Sequence, residues 1–248
     1  MVILSVGMVK AGSAWLWNMT NDLLVSAGFD DARKCRETFR LQRVTSEANC
    51  NIGDPTTKRM LFAMYPSLLF GRSYVLKTHS GPTTITHWLM RMNLLKVTHL
   101  RRDLRDVILS ALDHGQRSRD KGIQNPFVVY DSLDVAIPLA KRQAERWRAW
   151  KAVPGVFYMS YEDLLEDPQR ILRQMADYLG VMATDDALES IVEKYAGGKT
   201  MSGKLHYNKG VAGRYRQAFS AEELEKIESQ IGPDLLQMGY PLEGPKLA

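Results

Sequence analysis

Residues 1–15 restrict what this chain can fold into more than any other segment. Residues 2–6 are a short apolar, β-branched run, which predicts a buried strand. Residues 7–12 contain two glycines and predict a tight turn, after which the apolar side chains of residues 15–24 recur at helical spacing. A strand, turn and helix in this order bring backbone N–H groups and the positive end of a helix dipole to one point. The segment therefore predicts a phosphate cradle, and the alternative is an ordinary strand-to-helix turn with a chance lysine.

Strand and helix patterns keep alternating along the rest of the chain. This order predicts an α/β fold with three layers, α/β/α, around a central parallel sheet whose strands are joined by crossover helices. Further strands are predicted at residues 73–77, 96–100 and 155–159, and helices at residues 83–91, 103–114, 132–152, 168–179, 184–195 and 220–231. Residues 196–219 show neither period and predict one long ordered loop. With 248 residues, a single domain over 1–248 is expected.

Charge and cysteine usage narrow the classes of function. The formal net charge is +5, but basic and acidic residues are interleaved, which argues against a nucleic-acid-binding tail and suits a small anionic ligand. Cys35 and Cys50 are the only cysteines and predict free thiols in a reducing compartment, which favours the cytoplasm. The sequence has no apolar stretch of the roughly 18 residues that a spanning helix needs. We therefore expect a soluble protein that has neither a membrane nor a nucleic acid as its partner.

The spacing of the first turn is close to that of a nucleoside-triphosphate loop but does not match it. Gly7 and Gly12 have the G-x-x-x-x-G spacing, but Ser13 stands where that motif requires lysine, and Lys10 lies two positions before the second glycine. The displaced lysine argues against a small-molecule kinase that uses Mg-ATP. That kinase, and a non-catalytic nucleotide-binding module, are the two alternatives to the function inferred below.

A second anion site is predicted where the strand at residues 96–100 ends. Arg102 follows this strand and Ser110 lies two turns along the next helix, so a guanidinium and a hydroxyl are available for a second phosphate. Ligands of open α/β sheets bind at this edge. We interpret the other charged residues of this segment as a solvated helix start with i,i+4 pairs, namely Arg101, Arg105 and Asp106.

A third group of polar residues follows the strand at residues 73–77. Lys77, Thr78 and His79 stand at the same edge of the predicted sheet. A histidine at such a strand end is suited to general-base catalysis, because histidine is the side chain that changes charge near neutral pH. The remaining histidines have no neighbours that favour more than a structural role: His87, His99, His114 and His206.

Five segments, in order along nearly the whole chain, resemble the sulfotransferase family that uses 3′-phosphoadenosine 5′-phosphosulfate (PAPS). Residues 9–16 resemble its P-loop-like 5′-phosphosulfate loop, residues 77–79 its K-T-H segment and residues 102–110 its 3′-phosphate element. Residues 161–164 resemble its Y-E-D-L segment, and residues 208–213 resemble the loop that closes over the donor. The resemblance implies a P-loop-like fold of the cytosolic type and transfer of a sulfuryl group from PAPS as co-substrate, without a metal.

The same resemblance implies roles for individual residues. His79 would take the proton of the acceptor, Lys10 would neutralise the bridging oxygen of the donor, and Lys77 would assist. Trp15 and Tyr161 would hold the adenine. The full set of residues implied to bind the donor is Lys10, Ala11, Gly12, Ser13, Ala14, Trp15, Arg102, Ser110, Tyr161, Thr200, Met201, Asn208, Lys209 and Gly210.

The chain departs from the family pattern at several of these positions. Val9 replaces a proline and Ala14 a hydroxyl residue, so one side-chain contact to the 5′-phosphate is expected to be missing. Asn208 replaces the loop arginine that would touch the 3′-phosphate. Either Arg214 or Arg216 is then expected to supply the charge in its place.

The acceptor is predicted only as a class. Residues 39–70 and 118–129, expected on the substrate side together with the loop at 49–57, mix polar and apolar side chains and do not predict a deep apolar pocket. The chain starts directly on its first strand, which favours small acceptors over carbohydrate chains. We therefore expect sulfation of a hydroxyl or a nitrogen of a small polar metabolite or natural product. Residues 216–225 loosely resemble a dimerisation motif, which leaves a homodimer open.

Overall fold

The structure is a computed structural model that describes residues 1–46, 49–196 and 210–244. Its residues group into two compact units. The first, which we call the sheet unit, is built from the described parts of Met1–Arg101 and Ala149–Gly210. The second, the helical unit, is built from the described parts of Arg102–Arg148 and Val211–Ala248.

Four parallel strands of the described residues form the sheet of the sheet unit, namely β1 (Val2–Gly7), β2 (Tyr74–Thr78), β3 (Leu95–Arg101) and β4 (Val156–Ser160). They lie in the order β2-β1-β3-β4. Every residue of β1 is buried, as expected for a central strand covered on both faces. The register places Ser5 of β1 opposite Lys77 of β2 on one side and Thr98 of β3 on the other. The predicted α/β fold with a central parallel sheet flanked by helices is confirmed.

Helices account for most of the remaining chain, and those with clear periodicity begin and end near their predicted bounds. The sheet unit contains α1 (Ser13–Ser26), α2 (Ala32–Thr38), α3 (Thr57–Phe70), α4 (Thr84–Arg91), α7 (Tyr161–Glu166), α8 (Pro168–Leu179) and α9 (Asp185–Tyr195). The helical unit contains α5 (Leu104–Asp120), most of α6 (Leu133–Lys151), α10 (Tyr215–Ala218) and α11 (Ala221–Gln237). Among the described helices, none is both long and apolar enough to cross a membrane.

Two predicted helices are longer in the structure, and the segment predicted as one loop contains the short helix α10. The predicted N-cap of α11 is confirmed, because the Ser220 side chain accepts a hydrogen bond from the Glu223 amide in a capping box. The helix then continues past Ile231, which is buried together with Leu235. Burial in the tertiary structure therefore extends α11 beyond the point where its sequence pattern weakens.

Arg105 contradicts the interpretation of its segment as a solvated helix start. Its side chain is fully buried, and so is the side chain of the next residue, Asp106. The Arg105 guanidinium bonds Asp103 at 2.7 Å and Glu228 of α11 at 2.5 Å, and it lies 4.2 Å above the centre of the Tyr215 ring. The prediction was wrong because α10 and α11, which lie more than a hundred residues later, supply partners that local spacing does not reveal.

His99 on β3 is expected to make the free energy of unfolding depend on pH. Burial, with a smaller effect of the Arg101 charge, lowers the pKa of His99 from 6.5 to about 3, so the ring is neutral in the folded protein. In the unfolded chain the ring gains a proton below its ordinary pKa. Because the folded pKa is the lower one, the stability that neutral His99 provides is lost as the pH falls from about 6.5 towards 3. Between pH 7 and pH 5 we expect this residue to reduce the free energy of unfolding by about 2 kcal/mol.

Urea unfolding of the wild type and of His99→Gln at both pH values measures this contribution. The variant should lose about 2 kcal/mol less than the wild type over the same interval. His87→Gln is the matched control, since His87 is exposed on α4. An equal pH dependence in the wild type and in His99→Gln would contradict the prediction.

Candidate functional site

The turn between β1 and α1 is built on two glycines. A Cβ atom on Gly7 would lie 2.5 Å from the Ser13 Cβ, so only glycine lets the end of β1 approach the start of α1 this closely. Gly12 has φ +82°, the left-handed region that favours glycine, and Lys10 has φ +68° in the same turn. The Ala11 amide donates to the Met8 carbonyl at 3.2 Å, which closes the turn.

The N-terminus of α1 is open to an anion. In the described part of the chain, no side chain caps this helix and its first turn carries no acidic residue. The first amides of a helix have no intrahelical acceptor, and the helix dipole adds positive potential at the same point. A phosphate or sulfate group is the ligand that such an arrangement binds best. The turn and the start of α1 therefore have the chemistry that the sequence predicts for residues 10–15.

Two aromatic side chains lie beside this turn. The Tyr161 ring packs against Gly12, because a Cβ atom there would lie 2.8 Å from the tyrosine Cε2. The rings of Trp15 and Tyr161 are 6.2 Å apart and meet edge to face. The Trp15 indole N–H is buried and has no hydrogen-bond acceptor among the described residues. The structure thus brings Gly12, Trp15 and Tyr161 together beside the turn between β1 and α1.

The close approach of Tyr161 to Gly12 predicts that Gly12→Ala is more damaging than the same change elsewhere. Gly28 has φ +83°, but a Cβ atom at that position would meet nothing within 4 Å, so Gly28→Ala adds backbone strain alone. Gly12→Ala adds the same strain and a clash with the Tyr161 ring. We expect it to lower the free energy of unfolding by about 1–3 kcal/mol more than Gly28→Ala. Urea unfolding of both variants measures the difference, and equal losses would contradict the prediction.

His79 follows β2 and contacts the end of β1. Its Nδ1 lies 2.6 Å from the carbonyl oxygen of Gly7. Because a carbonyl oxygen only accepts, Nδ1 carries the hydrogen, and the lone pair of the neutral ring is on Nε2. The ring is half-buried. The backbone after it is held by Trp150, whose indole N–H donates to the Ser80 carbonyl at 2.9 Å. His79 therefore presents a basic nitrogen from a fixed position.

Lys77 lies two residues before His79 and is buried, with 5% of its surface exposed. Its register neighbour on β1 is Ser5, and Thr98 of β3 lies opposite Ser5 on the other side. The side-chain oxygens of both hydroxyls are buried without a hydrogen-bond partner in the part of the chain that is described. A polar row through the middle of a sheet is costly unless it serves a function. Ser5 and Thr98 were missed in the sequence. Ser5 is the single polar side chain of an apolar strand, which is a signal that points to it, whereas Thr98 stands among other polar residues of β3.

Residues 50–53 run alongside the end of β2. The Lys77 amide donates to the Cys50 carbonyl at 3.1 Å, and the Ile52 amide donates to the Lys77 carbonyl at 2.8 Å. The Thr78 hydroxyl donates to the Gly53 carbonyl at 2.5 Å. This segment therefore borders Thr78, the residue that directly precedes His79.

Arg102 and Ser110 belong to the helical unit, and both are buried, with 6% and 4% of their surfaces exposed. Arg102 comes directly after β3, and its Nη2 donates to the Asp106 carboxylate and to the Val211 carbonyl, each at 3.3 Å. Ser110 lies within α5. The predicted charged and hydroxyl groups are thus present in this unit, with Arg102 held in an ion pair.

Four of the predicted donor-binding residues lie outside the described part of the chain. These are Thr200, Met201, Asn208 and Lys209, whereas Gly210 is described with φ +56°. The two arginines expected to replace the missing loop charge both have acidic partners. Arg214 bonds Asp113 at 2.9 Å and Arg216 bonds Glu243 at 2.8 Å.

Comparison with solved structures shows the fold. The chain is similar to mouse sulfotransferase SULT7A1 complexed with PAP, with a TM-score of 0.59, 13% identity, and coverage of 95% of this chain and 84% of that one. Retinol dehydratase in complex with androsterone and the inactive cofactor PAP has a TM-score of 0.56, 17% identity, and coverage of 100% and 82%. The sulfotransferase domain from the curacin biosynthetic pathway has a TM-score of 0.51, 15% identity, and coverage of 98% of both chains.

Comparison of sequences extends this result. Sulfotransferase 1A1 of Bos taurus is 24% identical over 190 residues, which is 75% of this chain and 61% of the bovine protein. The chain thus spans about three fifths of the length of that relative. The family model described as "Sulfotransferase domain" matches residues 2–239. Because this match runs through nearly the whole chain, including both the turn between β1 and α1 and His79, the protein belongs to the sulfotransferase domain family.

Proposed function

We propose that the chain transfers a sulfuryl group from PAPS to a hydroxyl or a nitrogen of a small polar metabolite or natural product. The observation that carries the proposal is the position of Gly7. Its carbonyl holds His79 at 2.6 Å, and its missing side chain lets Ser13 approach from the other side. A candidate general base and a candidate phosphate site therefore share one residue. In-line group transfer needs this proximity more than it needs covalent help from the protein.

The residues assigned to the donor in this proposal are those that the sequence resemblance implies. Residues 10–15 would hold the 5′-phosphosulfate, Trp15 and Tyr161 the adenine, and Arg102 and Ser110 the 3′-phosphate. The indole N–H of Trp15 and the start of α1 support the assignment, since among the described residues neither has a side-chain partner of the kind that this nucleotide offers. The PAP in the crystals of mouse SULT7A1 and of retinol dehydratase supports the same class of ligand. The remaining assigned residues are Thr200, Met201, Asn208, Lys209 and Gly210.

The reaction is divided among three side chains. When bound, the donor supplies the sulfuryl group and a bisphosphate leaving group. His79 accepts the proton of the acceptor at Nε2, which the Gly7 contact leaves as the basic nitrogen. Lys10 and Lys77 stabilise the negative charge that develops on the leaving oxygen, and the start of α1 adds its dipole. A metal-free mechanism stays a prediction, which full activity in the presence of EDTA would support.

The proposal also covers the domain organisation, the compartment and the partners of the enzyme. We assign both units to one sulfotransferase domain, because the family match runs from residue 2 to residue 239. Cys35 and Cys50 are free thiols, which supports a reducing compartment such as the cytoplasm. Burial raises the pKa of each to about 12. A homodimer stays open, and neither nucleic acid nor membrane is assigned as a partner.

A thermal-shift experiment tests the proposed donor. We expect adenosine 3′,5′-bisphosphate (PAP) at about 100 times its Kd to stabilise the fold by about 2.7 kcal/mol. For a chain of this size that corresponds to a rise in Tm of roughly 5–10 °C. Mg-ATP should produce no comparable rise. Stabilisation by Mg-ATP and not by PAP would contradict the proposal and support the small-molecule kinase.

The acceptor is tested separately, by incubating the enzyme with labelled PAPS and a panel of phenols, alcohols, sugars and alkaloids. Labelled product from a polar member supports the proposed acceptor class. Transfer confined to apolar alcohols would contradict that class and leave the donor assignment in place.

A further inference from the structure

Asp106 is the centre of a hydrogen-bond network in the helical unit that the roles assigned above do not explain. Its side chain is fully buried. One carboxylate oxygen accepts from the Gly213 amide at 2.7 Å and from Arg102 Nη2 at 3.3 Å, and the other accepts from the Tyr215 amide at 3.2 Å. A buried carboxylate is costly unless it is paired and hydrogen-bonded. Three donors therefore converge on Asp106.

The same network holds residues 211–215. Arg102 Nη2 donates to the Val211 carbonyl as well as to Asp106, while Asp106 takes the amides of Gly213 and Tyr215. Gly213 has φ +72°, so the chain turns between these two attachment points. Arg102, Asp106 and the turn form a closed ring of contacts within one unit. Movement of the turn is therefore tied to the orientation of the Arg102 guanidinium.

We infer that Asp106 is a positioning residue for donor binding. By holding Nη2, it sets the plane of the Arg102 guanidinium, and it anchors the turn that begins one residue after Gly210. An arginine whose planar fork is fixed in advance loses less freedom when it binds phosphate, so the contact is tighter. The inference rests on the proposed function, because it takes Arg102 as the ligand of the 3′-phosphate. Phosphate binding and the order of residues 211–215 are then coupled in both directions.

The variant Asp106→Asn tests this inference. It keeps the shape of the side chain but removes the charge that pairs with Arg102. Asp234→Asn is the matched control, since Asp234 also pairs with an arginine of the helical unit, Arg148, and only 13% of its side chain is exposed. For each protein, calorimetry measures the Kd of PAP and of adenosine 5′-monophosphate (AMP), which lacks the 3′-phosphate. The ratio of the two values reports the contact to the 3′-phosphate, and a general loss of stability does not change it.

We expect the wild type to prefer PAP to AMP, Asp106→Asn to reduce that preference about tenfold or more, and Asp234→Asn to keep it. A wild-type preference that Asp106→Asn retains would overturn this inference and leave the proposed function in place. A wild type without any preference for PAP would overturn both.

If Asp106→Asn does not fold, hydrogen exchange in the wild type decides the question. PAP should slow the exchange of the Gly213 and Tyr215 amides more than AMP does. The Glu223 amide, which is held by the Ser220 side chain in the same unit, should exchange alike with both nucleotides. Equal exchange of Gly213 and Tyr215 with the two nucleotides would overturn the inference.

Discussion

The variant His79→Ala is expected to lower kcat by about 10² to 10⁴, the range observed when a general base is removed. PAP affinity should change little, because the histidine is assigned to the acceptor side of the reaction. The loss of rate is expected because Nδ1 contacts the Gly7 carbonyl at 2.6 Å, which leaves Nε2 as the basic nitrogen that the variant removes. Initial rates under saturating donor, together with calorimetry of PAP binding, measure the two effects separately.

Two further variants separate catalysis by His79 from a structural role. His79→Asn keeps an N–H close to the position of Nδ1, so the contact with Gly7 is retained while the base is lost. It should therefore be as slow as His79→Ala. His87→Ala is the control for removing a histidine, since His87 is exposed on α4. Turnover near that of the wild type in His79→Asn, with PAP still bound, would remove His79 from the role of base.

The variant Arg105→Ala is expected to lower the free energy of unfolding by about 3–5 kcal/mol. The change leaves the carboxylates of Asp103 and Glu228 in largely buried positions without their common partner. It also removes a guanidinium that stacks 4.2 Å from the Tyr215 ring, where it joins α5 to the last two helices. Urea unfolding followed by circular dichroism measures the loss.

Arg148→Ala is the matched control for Arg105→Ala. It also breaks an arginine–carboxylate contact to α11, at 2.5 Å to Asp234, but 43% of the Arg148 side chain is exposed. Exposed ion pairs contribute about 1 kcal/mol or less, so the control should be much milder. Similar losses in the free energy of unfolding for the two variants would contradict the prediction that the buried ion pairs of Arg105 contribute more than an exposed one.

The turn between β1 and α1 was readable from the sequence because everything that makes it is local. The apolar run of β1, the two glycines and the start of α1 lie within 26 residues, and their geometry follows from backbone rules. The parallel sheet was readable for a related reason, since each strand carries its own apolar run before a helical period begins. Helix α3 was missed because its apolar side chains cover most of its surface and Pro66 lies inside it. Helix α7 was missed because six residues are too few to show a period.

Contacts between distant parts of the chain decided the rest. His79 meets Gly7 across 72 residues, Tyr161 packs on Gly12, and Arg105 bonds Glu228 across 123 residues. Spacing along a sequence says nothing about such pairs, because they depend on which strands adjoin and in what register. For that reason the chain alone identified the chemical groups of the candidate site, whereas folding determined which nitrogen of His79 is basic, what lies against Gly12, and that Arg105 is buried.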